Sequence, residues 1–208
     1  MATFGELQTK VSQRLLDSDN TAVSASEVAD AINDSIVYWK VREFDFNSEY
    51  ASLTMTQSDG TLPLPSDFLV PNEDDGGFQI EYSSQRFILG KISAKHYNSI
   101  WRGNGDGRPQ FYARVGQSYE AYPIPDRDYT VNISYLKDYP DLVDDADTND
   151  FTVKAPRLII LWSCANLIAE RRQDDKMEAY FRAAAEDQFR QLGVLRDKAD
   201  GSGSLTVY

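Results

Sequence analysis

The chain has 208 residues, 41% of them apolar and 12% aromatic, and its 33 acidic against 21 basic residues give a formal charge of −12. That length and composition suit one good core or two small ones and argue against disorder throughout. The acidity argues against a module that grips nucleic acid through its phosphates, though not against a protein that lets DNA pass without sticking.

The opening MATFGELQTKVSQRLLD is charged and amphipathic and lacks the apolar core of a secretory signal. Thr3-x-x-Glu6 offers a capping box, and Phe4, Leu7, Val11 and Leu15 recur at helical spacing. After the polar break DSDNTAVS, Ser24-x-x-Glu27 offers a second box, and Val28, Ile32, Ile36 and Trp39 form one stripe. Residues 1–47 therefore read as a helical hairpin.

From about Glu49 the period changes to two. Leu53 and Met55 alternate with threonines, QSDG turns the chain, and Leu62 and Leu64 return between prolines. NEDDGG, 72–77, is a loop by composition. Phe78, Ile80 and Tyr82 alternate, Ser83-Ser84-Gln85 turns, and Phe87 and Leu89 come back. AKHYNSIW, 94–101, fits a short helix or an irregular bridge, and the glycines of RGNGDGRP mark a flexible excursion. GRPQFYARVGQSYEAYPIPD then spells a hairpin: Phe111, Ala113 and Val115 alternate, Gly116-Gln117 turns, and Tyr119 and Ala121 share a face. Pro123 and Pro125 cannot donate to a ladder and end the pairing. Tyr129, Val131, Ile133 and Tyr135 make the cleanest strand. About seven strands in hairpins predict an antiparallel sheet or small barrel over 48–140, apolar on one face.

Helical spacing returns after DLVDDADTND, with Pro156 suited to a first turn. Leu158, Leu161, Trp162, Ala165 and Ile168 form one face; Met177, Tyr180, Phe181, Ala184, Gln188 and Leu192 form the next. Residues 141–198 thus read as a second helical hairpin packed on the first, and 199–208 as a flexible arm containing the linker GSGS. The fold class predicted is α+β: a helical bundle from the N- and C-terminal segments with an inserted domain rich in antiparallel β-hairpins.

Catalytic signals are sparse. His96 is the sole histidine and has no nucleophile or acid beside it in sequence. Cys164, the sole cysteine, lies in the apolar run WSCANLIA, where a thiol packs as a small hydrophobe; alone it excludes an internal disulfide and a multi-cysteine metal site. Asp145, Asp147 and Asn149 resemble half a calcium loop, but Asp150 replaces the required glycine and Pro156 the required glutamate. GNGDG lacks the Gly-Lys-Ser/Thr of a phosphate loop. No cofactor or metal is expected, and no apolar run of about eighteen residues predicts a membrane span. A soluble protein made in a reducing cytoplasm is the expectation. Arg171-Arg172 closes a helix, either compensating its dipole or meeting an acidic partner or DNA.

In their order along the chain, several pieces resemble the head–tail adaptor (connector) proteins of short-tailed bacteriophages. They are FGELQTKVSQRLLD, AINDSIVYWKVREFDF, LPLPSDFLVP, GRPQFY with YEAYPIPD, YTVNISYLKDYPDL, and TNDFTVKAPRLIILWSCANLIAE. The resemblance implies a non-enzymatic virion protein of the head–tail junction, assembled in the host cytoplasm. It implies a ring of about twelve copies that binds the portal, extends the DNA channel without specific DNA binding, and docks the next tail or nozzle protein. It also implies that Arg171, Arg172 and the β-favouring Leu205, Thr206, Val207 and Tyr208 contact portal or a neighbouring subunit. Two alternatives stand beside it: a virion-associated cell-wall hydrolase using a Glu/Asp pair in the β domain, and a generic binding module of a mobile element.

Overall fold

The computed structural model describes residues 1–15, 23–100, 105–171 and 175–199, excepting the side chains of 171 and 194–199. In chain order the elements are α1 (Phe4–Arg14), α2 (Ala25–Trp39), β1 (Ser48–Met55), β2 (Phe68–Pro71), β3 (Phe78–Tyr82), β4 (Gln85–Ile88) and β5 (Gly90–Lys91). They continue with α3 (Ala94–Ile100), β6 (Phe111–Val115), β7 (Ser118–Tyr122), β8 (Tyr129–Lys137), α4 (Asp150–Lys154), α5 (Pro156–Arg171) and α6 (Asp175–Ala199). The protein is α+β. It divides into two compact units, Met1–Asn47 with Tyr139–Tyr208, and Ser48–Asp138.

The first unit is helical, and its helices begin where the caps dictate. The Thr3 hydroxyl accepts from the Glu6 amide. Ser24 and Glu27 close a full capping box, satisfying two of the amides a helix start leaves unpaired. Phe4, Leu7, Val11 and Leu15 are buried, as are Val28, Ile32, Ile36 and Trp39. The single face expected of α5 proves too narrow. Leu158 through Trp162 are all buried, as are Cys164, Ala165, Leu167 and Ile168, because α1, α2, α4 and α6 all pack against this helix. Ser35 and Ser163 permit close approach of α2 and α5, their hydroxyls 2.8 Å apart and both bonded to the Ala31 carbonyl. The stripe expected on α6 is also rotated. Phe181 and Ala185 are buried with Phe189 and Leu192 against the core, whereas Met177 and Tyr180 are 40% and 67% exposed.

The second unit holds two sheets. β8 is the hub of the larger: β1 runs antiparallel along one side of it, β3 and β2 along the other, and β4 follows β3. Tyr129, Val131, Ile133 and Tyr135 are buried, as their alternation predicts. The expected return strand at Leu62–Leu64 does not form. Thr61 makes only an isolated bridge with Glu120, and β1 takes β8 as its partner instead. Pro63 and Pro65 lack the amide that a ladder there needs. NEDDGG contains a short 3₁₀ turn, Glu73–Asp75, closed by Gly76 at φ 87°. Residues 94–100 settle as helix α3.

The smaller sheet is β5–β6–β7, with β5 parallel to β6, so the unit is not wholly antiparallel. Both of its faces are covered, contrary to the one-faced expectation. Tyr112, Tyr119 and Ala121 join Phe78 and Ile80 in the larger core, while Ala113 and Tyr122 pack with Tyr97 of α3. Phe111, at the start of β6, is 40% exposed. The aromatic hairpin is therefore a central layer, each fully buried ring contributing about 1.5–3 kcal/mol.

Candidate functional site

The residues singled out for chemistry have structural roles. His96 is exposed on α3, its amide capped by the Ser93 hydroxyl. Cys164 is buried, and desolvation pushes its thiol up to about 12, so the nucleophilic thiolate is suppressed. In the calcium-like stretch, Asp147 Oδ2 accepts the Val143 and Asp144 amides, each at 2.8 Å, and these bonds hold its carboxyl below the usual range. Asn149 caps α4 through the Thr152 amide. Both residues are occupied in organising backbone. Glu120 is raised by desolvation first and by the Asp59 charge second, which makes these two the carboxylate pair nearest to the hydrolase expectation. Neither lines any of the cavities described below.

The largest of those cavities, about 340 Å³, lies in the helical unit. Its walls are Glu43 to Phe46, Lys154 at the end of α4, and Leu192 and Gly193 of α6. Asn47 builds the wall. Its side chain accepts the Phe44 amide at 2.8 Å and donates to the Lys40 and Arg42 carbonyls at 3.1 and 2.8 Å. That clamp turns the chain as it leaves α2 and sets Phe44 and Phe46 in a stack, centroids 4.9 Å apart. A narrower groove along α2 and α5, about 100 Å³, is lined by Glu27, Asp30, Asp34 and Glu170. In the β unit, a cavity of about 130 Å³ sits beside the Lys91–Glu73 ion pair and Tyr112, whose hydroxyl is pushed up by burial and by the Glu73 charge.

A second surface of the helical unit combines aromatic rings with guanidinium groups. Tyr38 stacks on Trp162 at 4.3 Å, and Arg182 covers Trp162 from 4.9 Å while pairing with Glu178. Arg42 lies 5.2, 4.8 and 5.3 Å from the rings of Tyr38, Trp39 and Phe189 and donates to the Tyr38 hydroxyl at 2.9 Å. Among the described residues Arg42 forms no ion pair. Beside it Val37 and Val41 are 47% and 56% exposed. Sequence reading missed this surface, although the four-residue step from Tyr38 to Arg42 on the run-out of α2 is visible in YWKVREF. Of the residues expected to bind partners, Arg171 ends α5. Its side chain, Arg172, and Leu205, Thr206, Val207 and Tyr208 lie outside the described residues.

Among the described residues this surface presents exposed rings and a guanidinium in no ion pair, while the polar groups singled out for chemistry are tied up in turns and caps. The model of the SU10 adaptor protein family matches residues 2–208, and the chain belongs to that family. It is thus a phage structural adaptor of the virion, a non-enzymatic kind of protein that contacts other head and tail components. None of the curated proteins compared with the chain matches it. Among the described residues no helix is long and apolar enough to cross a membrane.

Proposed function

We propose that the protein is a head-to-tail adaptor that joins the portal as a ring of about twelve copies, extends the DNA channel and docks the next tail component. The family match over residues 2–208 carries this reading. The net charge of −12 supports the passive channel: like charge keeps transiting DNA from adhering to the walls. Arg171, Arg172 and the segment Leu205–Tyr208 are the proposed contacts to portal or neighbour, the last adding a strand to a partner sheet after the GSGS linker. The site of action is the head–tail junction, after assembly in the host cytoplasm.

The test is native mass spectrometry of the protein mixed with its cognate portal ring, full length and truncated after Asp200. Discrete addition of about twelve copies, weakened by truncation, supports the ring and the role of the tail. No association at any salt concentration refutes the adaptor reading. The hydrolase alternative needs a Glu/Asp pair in the β unit, and Glu120, raised by desolvation and by the Asp59 charge, is the residue on which to test it. A cell-wall release assay of the wild type and Glu120→Gln decides it, and equal release by both removes that alternative.

A further inference from the structure

Two features of the helical unit carry opposite charge, and among the described residues neither forms an ion pair. The first is the Arg42 surface: a guanidinium in no ion pair among the described residues, held among three rings, with Tyr38, Val37 and Val41 exposed around it. Other described cations, Arg86, Arg108 and Arg114 among them, also lack an ion pair, and what distinguishes Arg42 is its place among three rings beside exposed valines. Its rings hold it in one place, which lowers the entropy lost when an anion pairs with it.

The second is the turn 141–148. Val143 is 78% exposed there, flanked by Asp141 and Asp144, both exposed and neither in an ion pair among the described residues. An apolar residue so exposed is ordinary in a loose loop, but this turn is pinned from three sides. Asp147 accepts the Val143 and Asp144 amides. Asn33 of α2 bonds both the amide and the carbonyl of Leu142, at 3.0 and 3.1 Å. The Phe4 and Gly5 amides at the start of α1 donate to the Asp147 and Asp145 carbonyls. Gly5 is small enough for that approach, because a Cβ there would lie 3.0 Å from the Asp145 side chain. The turn is a preformed knob: one valine between two carboxylates.

The knob and the receptor lie on opposite flanks of α2. Asn33, which holds the knob, and Tyr38, which opens the receptor, are five residues apart, about 140° around a helix. The knob of one chain therefore cannot reach its own receptor, whereas a neighbour's knob can. Contacts between two different faces of identical subunits run head to tail, and they give a ring where the rotation closes. Asp34, one turn before Tyr38 and lining the acidic groove, disfavours a carboxylate at that level. The knob consequently seats toward the end of α2, on Val41 and Arg42.

We infer that the 141–148 turn of one copy docks on the Tyr38–Val41–Arg42 surface of the next, Val143 against the valines and Asp144 on the Arg42 guanidinium. This contact rests on the ring-forming adaptor reading and names its subunit interface. The test measures association of the full chain twice: alone by sedimentation velocity across a concentration series, and on the cognate portal by native mass spectrometry. The variants are Val143→Arg, Asp144→Arg, Arg42→Glu, and Arg42→Glu with Asp144→Arg. Val143 and Asp144 are exposed, so substitutions there leave the fold intact, as circular dichroism verifies. Each single change is expected to weaken association about tenfold or more, and the double swap to recover most of it. Association unchanged by Val143→Arg and Asp144→Arg overturns the contact while leaving the ring reading standing. Weakening without recovery in the double swap assigns the two surfaces to different partners and overturns their pairing. A wild type that associates in neither setting overturns both the contact and the ring.

Discussion

Asn47 is fully buried and makes three hydrogen bonds, all to backbone groups of the turn that follows α2. Asn47→Ala removes them and strands the buried Phe44 amide and two carbonyls. At about 1 kcal/mol for each bond, the expected loss is about 3 kcal/mol for the helical unit. Asn47→Asp keeps the acceptor for Phe44 but turns a carboxylate toward the Lys40 and Arg42 carbonyls, so it loses at least as much. Urea unfolding read by tryptophan fluorescence suits the measurement, because Trp39 and Trp162 both belong to this unit. A Trp101→Phe background removes the remaining tryptophan signal. An Asn47→Ala loss below about 1 kcal/mol, at unchanged m-value, refutes the assignment of Asn47 as the clamp of this turn.

Three other expectations are independent of that clamp. The Asp147 carboxyl, lowered by two backbone amides, stabilises the fold above the unfolded aspartate value near about 4 and loses that contribution as pH falls through its lower folded value. Carboxyl-resolved NMR titration checks the direction, and Asp147→Asn, which keeps an acceptor but no charge, flattens the acid dependence. Tyr129 and Tyr135 are both pushed up to about 12, by burial first and then by hydrogen bonds to Asp126 and Asp67. Their stabilisation of the β unit is complete below the ordinary phenol value near about 10 and fades above it, so phenolate absorbance rises together with unfolding; free titration near 10 contradicts the assignment. Cys164, buried and with its thiolate suppressed, resists a disulfide reagent in the native state and reacts only as the helical unit opens. Fast labelling without denaturant contradicts that burial.

Local order along the chain determined much of this protein. Helix starts follow from side chains that reach amides three residues on, so Ser24 with Glu27 was legible without tertiary knowledge. The alternation in β8 was equally legible, because the strand period of two follows from backbone geometry alone. The chemistry-bearing residues were legible in part: His96 and Cys164 were read as ordinary, and Asp147 and Asn149 as a broken calcium loop, from spacing.

Tertiary structure decided what each pattern faces. Periodicity shows that β1 is a strand but not that its partner is β8, since pairing depends on which distant edge is free; prolines in the nearer segment removed the obvious candidate. It shows a hairpin at 111–122 but not that α3 covers its second face, so Tyr112 and Ala113, on opposite faces, are both buried. Nor does any local rule mark Arg42 as unpaired. A charge is satisfied or left over only when every neighbour is in place, and among the described residues folding brings Tyr38, Trp39 and Phe189, but no carboxylate, to this guanidinium.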